Sequence, residues 1–158
     1  FILQLPTGAN QPPVAMAGGF ATEDQVYKGL ALGAPYVGLI ALGRASMAAA
    51  FAGRQVGEAL KAGAVPKEYE RFGSTADELF ADLRLLKADY GDEAKTIPPG
   101  AVGVYSYLHR VADGLRMMMA LNRKFALRYI ARDDIVPLTE AAARATGLAT
   151  YEELLERA

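Results

Sequence analysis

Cysteine is absent from the 158-residue chain and histidine occurs once. The first absence removes disulfides, thiolate metal sites, iron-sulfur ligation and cysteine nucleophiles together. Neither charge sign is in excess: 17 lysines and arginines face 18 aspartates and glutamates, for a formal net charge of -1. So balanced a chain has no global field to gather nucleic acid or an anionic membrane, and such a partner would need a local patch. Long apolar runs are missing too. Val37 to Leu42 falls far short of the roughly 20 residues that cross a bilayer, and no basic flank with a long apolar region marks a signal peptide. Together these absences read as a cytoplasmic protein with no membrane and no nucleic-acid partner.

What is present is apolar material, 52% of the residues, enough to bury a core in one domain or two small ones. Phe1 to Leu5 is apolar and uncapped, so the chain is expected to be a piece of a longer one. Pro12-Pro13 cannot donate hydrogen bonds and favours extended backbone, which makes residues 1 to 13 a lead-in to a strand. Val14 to Ala17 is a short apolar strand and Gly18-Gly19 permits a tight turn. Thr22-Glu-Asp-Gln25 has capping-box spacing and starts a helix near Glu23. Val26 and Leu30 line that helix, with Gly33 placed as its left-handed stop. Tyr36 to Leu42 lacks polar alternation, which suits a parallel strand buried on both faces. Gly43-Arg44 ends it, and Ser46 is positioned to cap a helix running to about Ala62.

Beyond Val65 the spacing is helical. Thr75-Ala-Asp-Glu78 is a second capping box, Leu79, Leu83, Leu86 and Tyr90 follow on one face, and Gly91 ends that helix. Ile97-Pro-Pro-Gly100 is a rigid break, after which apolar positions from Val104 to Phe125 predict a long helix reaching about Arg132. The end of this helix is basic, with Arg116, Arg123, Lys124, Arg128 and Arg132. The segment from Asp133 to Ala158 is acidic, and ion pairing between the two accounts for both. The chain is thus expected to divide into βα units at 1–64 and a helical extension at 65–158.

The turns after the two strands carry the most specific chemistry. A peptide N-H approaches a phosphate oxygen closely only where no side chain intervenes, as at Gly18 and Gly19, and the following helix would aim its dipole and free amides at the same anion. Gly43 would supply a second backbone approach and Arg44 a charge-assisted hydrogen bond. The competing reading is ordinary turn chemistry, with Arg44 paired to a surface carboxylate.

The run from Ala17-Gly-Gly-Phe-Ala-Thr to Leu39-Ile-Ala-Leu-Gly-Arg44 resembles strands seven and eight of the flavin-binding (β/α)8 barrel of the glutamate synthase family, in its stand-alone glutamate-synthase-like members. Ile97-Pro-Pro-Gly-Ala-Val-Gly-Val-Tyr-Ser-Tyr-Leu108 and Arg132-Asp-Asp-Ile-Val-Pro-Leu-Thr-Glu140 resemble the helical tail of the same proteins. The resemblance implies an α/β fold, the last two βα units of a TIM barrel followed by an all-helical extension. It also implies flavin mononucleotide (FMN), its phosphate held by Gly18, Gly19, Gly43 and Arg44. In that family the flavin reduces 2-iminoglutarate to glutamate, as an oxidoreductase acting on CH-NH2 groups, with electrons delivered through an iron-sulfur cluster. This chain has Ala45 to Gln55 where the cluster cysteines stand, so no cluster is expected in it. The expected partners are the remainder of the barrel or further copies of the chain, and a small-molecule substrate; the chain alone is expected to be inactive.

Other constellations point to bland roles. His109 has no serine or acidic partner at triad-like spacing and reads as a surface or interface histidine, not a metal ligand. Met117-Met118-Met119 reads as core packing. Leu138 to Leu154 has the helix, glycine turn, helix form of a DNA-reading motif, yet its second helix would offer Glu152, Glu153 and Glu156 to phosphates. The remaining alternative is a non-catalytic helical docking or oligomerisation module.

Overall fold

Val14–Ala17 (β1) and Val37–Ala41 (β2) pair in parallel, with Ala15 opposite Leu39 and Ala17 opposite Ala41. Between them runs helix α1, Glu23–Gly33. The structure, a computed structural model, describes residues 14–156; the lead-in expected over residues 1 to 13 lies outside them. The remaining elements are helical: α2 Arg44–Lys61, α3 Lys67–Glu70, α4 Ala76–Leu79, α5 Leu83–Tyr90, α6 Pro99–Leu121, α7 Glu140–Thr146 and α8 Tyr151–Leu155, with short 3-10 turns among them.

This corrects the barrel expectation. Among the described residues the sheet has two strands and stays open, and beyond Ala41 the chain is helix and turn. A barrel requires eight tilted strands closed edge to edge, and a strand pair leading directly into α2 supplies no such closure. Nor is β2 buried on both faces, since Gly38, Leu39 and Ala41 are exposed. The fold is mainly helical, with one small parallel sheet.

The chain forms two compact units. One comprises the described residues through Ala41 together with those from Gly114 onward; the other runs from Leu42 to Asp113. Both strands precede residue 64, and only helices and turns lie after it among the described residues.

In the unit that carries the sheet, Val26, Tyr27, Leu30 and Ala31 bury one face of α1, and Val37, Met119 and Ile130 complete the core. Arg132 ties two helix ends together. Its guanidinium donates to the Leu32 carbonyl at 2.8 Å, in the last turn of α1, and to the Thr146 carbonyl that ends α7. A cation at a helix C-terminus satisfies carbonyls that have no helical partner and meets the negative end of the dipole. Gly33 is not the left-handed stop expected of it. It is the last helical residue, and the extended Ala34 turns the chain away from the helix axis.

In the other unit Phe80, Leu86 and Val102 form the core, with Val56, Leu60, Leu83, Ile97 and Tyr105 packed against it. Helices α2 and α6 meet backbone to backbone. A Cβ on Gly53 would lie 2.5 Å from the Pro99 carbonyl oxygen, and one on Gly103 would lie 2.5 Å from the Ala49 carbonyl oxygen.

Helix boundaries differ from the sequence expectation in three places. Gly43, not Ser46, is the N-cap of α2, and the Ser46 hydroxyl donates back to the Leu42 carbonyl at 3.2 Å. The helix expected through Leu79 and Tyr90 breaks between α4 and α5, where Phe80 turns extended and is buried. Helix α6 ends at Leu121 instead of near Arg132, because Arg123 is left-handed (φ 56°) and Lys124 N-H closes on the Met119 carbonyl at 2.8 Å. Arg123, Lys124, Arg128 and Arg132 therefore do not share a helix face.

Candidate functional site

Gly18 and Gly19 adopt φ of 139° and 78°, the left-handed region that glycine alone enters freely, and a Cβ on either would meet nothing within 4 Å. The turn leads into α1. Gln25 Oε1 accepts from the Ala21 N-H at 2.8 Å and the Thr22 N-H at 3.4 Å. Glu23 and Asp24 occupy the first turn, and hydrogen bonds from Lys28 first, then Thr22, hold the Asp24 carboxyl down at about 2. Gly43 caps α2 without a left-handed φ, and Arg44 is the first residue of that helix. Gly18 and Gly19 belong to one compact unit, Gly43 and Arg44 to the other.

The FMN expectation is corrected accordingly. The flavin reading needed a barrel whose adjacent strand ends bring the two turns onto one phosphate, and no barrel is present among the described residues. Without it the oxidoreductase assignment loses the architecture on which it rested. Among the described residues no group of three or more histidine, cysteine, aspartate or glutamate side chains is placed to hold a metal ion.

His109 has the acidic neighbours that sequence spacing did not reveal. Its Nδ1 lies 3.3 Å from Asp82 Oδ2 and its Nε2 lies 3.6 Å from Asp113 Oδ2, while its ring stacks on Tyr105 with centroids 5.8 Å apart. Asp113 is one helical turn away in α6 and could have been read from the spacing. Asp82 comes from the break before α5 and could not. A half-buried histidine bracketed by two carboxylates locks α6 to the start of α5.

The expected ion pairing between the basic segment and the acidic tail is seen at Lys124 and Asp134. Lys124 Nζ lies 3.2 Å from Asp134 Oδ1, whose second oxygen accepts from the Ala131 N-H at 2.8 Å. Arg132 bonds carbonyls instead. Helices α7 and α8 do form a helix, left-handed Gly147, helix arrangement, each capped by threonine: Thr139 Oγ1 accepts from the Ala142 N-H at 3.1 Å, and Thr150 Oγ1 from the Glu153 N-H at 3.3 Å. The exposed side of α8 presents Tyr151, Glu152, Glu153 and Glu156.

The last turns of α6 and the residues beyond them carry exposed apolar side chains. Leu121 is 80% exposed and Phe125 82% exposed, and Met117 stands one helical turn before Leu121 on the same face. The Met triplet is split: Met119 is buried in the core and Met117 faces out.

No family model, no curated protein and no solved structure matches the chain. The open two-stranded sheet and the mainly helical fold overturn the resemblance to the glutamate synthase family as an assignment. Among the described residues no helix is long and apolar enough to cross a membrane.

Proposed function

We propose that the chain is a non-catalytic helical docking module whose partner is a second copy of itself. The observation that carries this reading is the apolar surface of Leu121 and Phe125, left almost wholly in water beside the exposed Arg123. Covering a side chain of this size is worth about 1.5–3 kcal/mol. Helix α8 of the same unit offers a complementary face, with Tyr151 and Leu155 more than half exposed among Glu152, Glu153 and Glu156. In a two-fold pair each copy's basic apolar face meets the other's acidic apolar helix, and the contact closes on itself.

The test is size-exclusion chromatography of the whole chain and of a Leu121→Glu, Phe125→Glu double variant, with circular dichroism to confirm helical content. The wild type should elute as a dimer and the variant as a monomer. A monomeric wild type, or a folded variant that remains dimeric, contradicts the reading.

A further inference from the structure

A cavity of about 680 Å3 lies within the unit that carries the sheet. Leu30, Val37 and Ile130 form its buried floor, and Pro35, Leu127 and Tyr129 its exposed rim. That volume falls inside the roughly 300–1,000 Å3 typical of small-molecule sites, which combine apolar walls with a few placed polar groups. Two arginines line it, and they differ. Arg132 is committed to the Leu32 and Thr146 carbonyls. Arg128 lies 4.6 Å from the centre of the Tyr129 ring and donates to that tyrosine's hydroxyl at 3.0 Å. No carboxylate pairs with it among the described residues.

A guanidinium carries five N-H donors in a rigid fork, so stacking on Tyr129 and one hydrogen bond fix its orientation and leave most of its donors available. We infer that this cavity binds a small amphiphilic monocarboxylate, its apolar body against Leu30, Val37 and Ile130 and its carboxylate on Arg128. One available guanidinium matches one negative charge. Arg132, held on two carbonyls, has fewer donors to offer a second anionic group, and a wholly apolar ligand would leave the Arg128 guanidinium unused. This inference stands apart from self-association, since neither Leu121 nor Phe125 lines the cavity.

The experiment is a titration of the full chain with octanoate and with 1-octanol, monitored by NMR chemical shifts. Octanoate should bind saturably and more tightly than octanol. Arg128→Gln should weaken octanoate by about tenfold, the size of one charge-assisted pair at an exposed site, and leave octanol unchanged. Gly38 lines the cavity, and a Cβ on it would meet nothing within 4 Å, so Gly38→Leu should fill the space and abolish binding of both ligands while the fold persists. Absence of saturable octanoate binding to the wild type, unchanged octanoate affinity in Arg128→Gln, or retained binding in folded Gly38→Leu would overturn the inference.

Discussion

Gly33 stands so close to Val37 that a Cβ on it would lie 2.4 Å from Val37 Cγ2. The end of α1 and the start of β2 are thus in contact through a missing side chain, and Val37 is itself part of the core. Gly33→Ala should destabilise the protein by about 1–3 kcal/mol in urea unfolding, as overpacking does. With Val37→Ala in the same chain the loss should be smaller than the sum of the two single variants, because removing the valine methyls relieves the overlap. Strict additivity would contradict the contact.

The α2 and α6 crossing makes a similar demand with less room to yield. A Cβ on Gly53 would meet the Pro99 carbonyl oxygen at 2.5 Å and the Gly103 Cα at 3.1 Å, both backbone atoms. Gly53→Ala is expected to cost about 1–3 kcal/mol despite alanine's better helix propensity, whereas Gly38→Ala, which enters open space, should stay within about 0.5 kcal/mol. Equal effects of the two substitutions would count against the close crossing.

Much of the local structure was legible because its causes are local. Four apolar residues before a double glycine mark β1, the Thr22 and Thr75 spacings mark the starts of α1 and α4, and Gly91 and the Pro98-Pro99 pair mark an end and a start. The end of α6 carries no such mark, since it depends on Arg123 entering the left-handed region without being glycine. The break at Phe80 answers to burial in a core assembled from α2 and α6, which no local window contains. Two strands with glycine turns look alike inside a barrel and outside one, because closure is set by strands elsewhere. Of the candidate sites, Asp113 beside His109 was readable at helical spacing, while Asp82 and the cavity at Arg128 depend on tertiary placement.

Asp24 gives a pH signature. Its carboxyl sits at about 2, below the ordinary 3.8, through hydrogen bonds from Lys28 and Thr22. A depressed folded value means that its contribution is present above the unfolded pKa and is lost as pH falls from near 3.8 through about 2. Carboxyl-carbon NMR should show Asp24 titrating at about 2, with the step moving up in Lys28→Met. A midpoint at the ordinary aspartate value in the wild type would rule this out.

Tyr27 is 1% exposed and its hydroxyl has no partner at hydrogen-bonding geometry among the described residues, although the Asp134 carboxylate is near enough to act on it. Burial first, then the Asp134 and Asp133 charges, push its phenol up to about 12. The fold therefore resists ionisation of this phenol: stability is unaffected by it below the unfolded value of 10.0 and is lost as pH rises from there through about 12. Tyr27→Phe should remove one late step from the ultraviolet titration and leave stability unchanged or higher by up to about 1 kcal/mol, since it deletes an unsatisfied buried group. A loss of about 2 kcal/mol or more would show that the hydroxyl is bonded after all.

Self-association through the face of Leu121 and Phe125 is best decided by sedimentation equilibrium over a range of protein and salt concentrations. A docking face of this kind predicts a reversible monomer-dimer equilibrium that weakens with added salt, because Arg123 and the α8 glutamates contribute across the contact. A single monomeric mass at every concentration would contradict it.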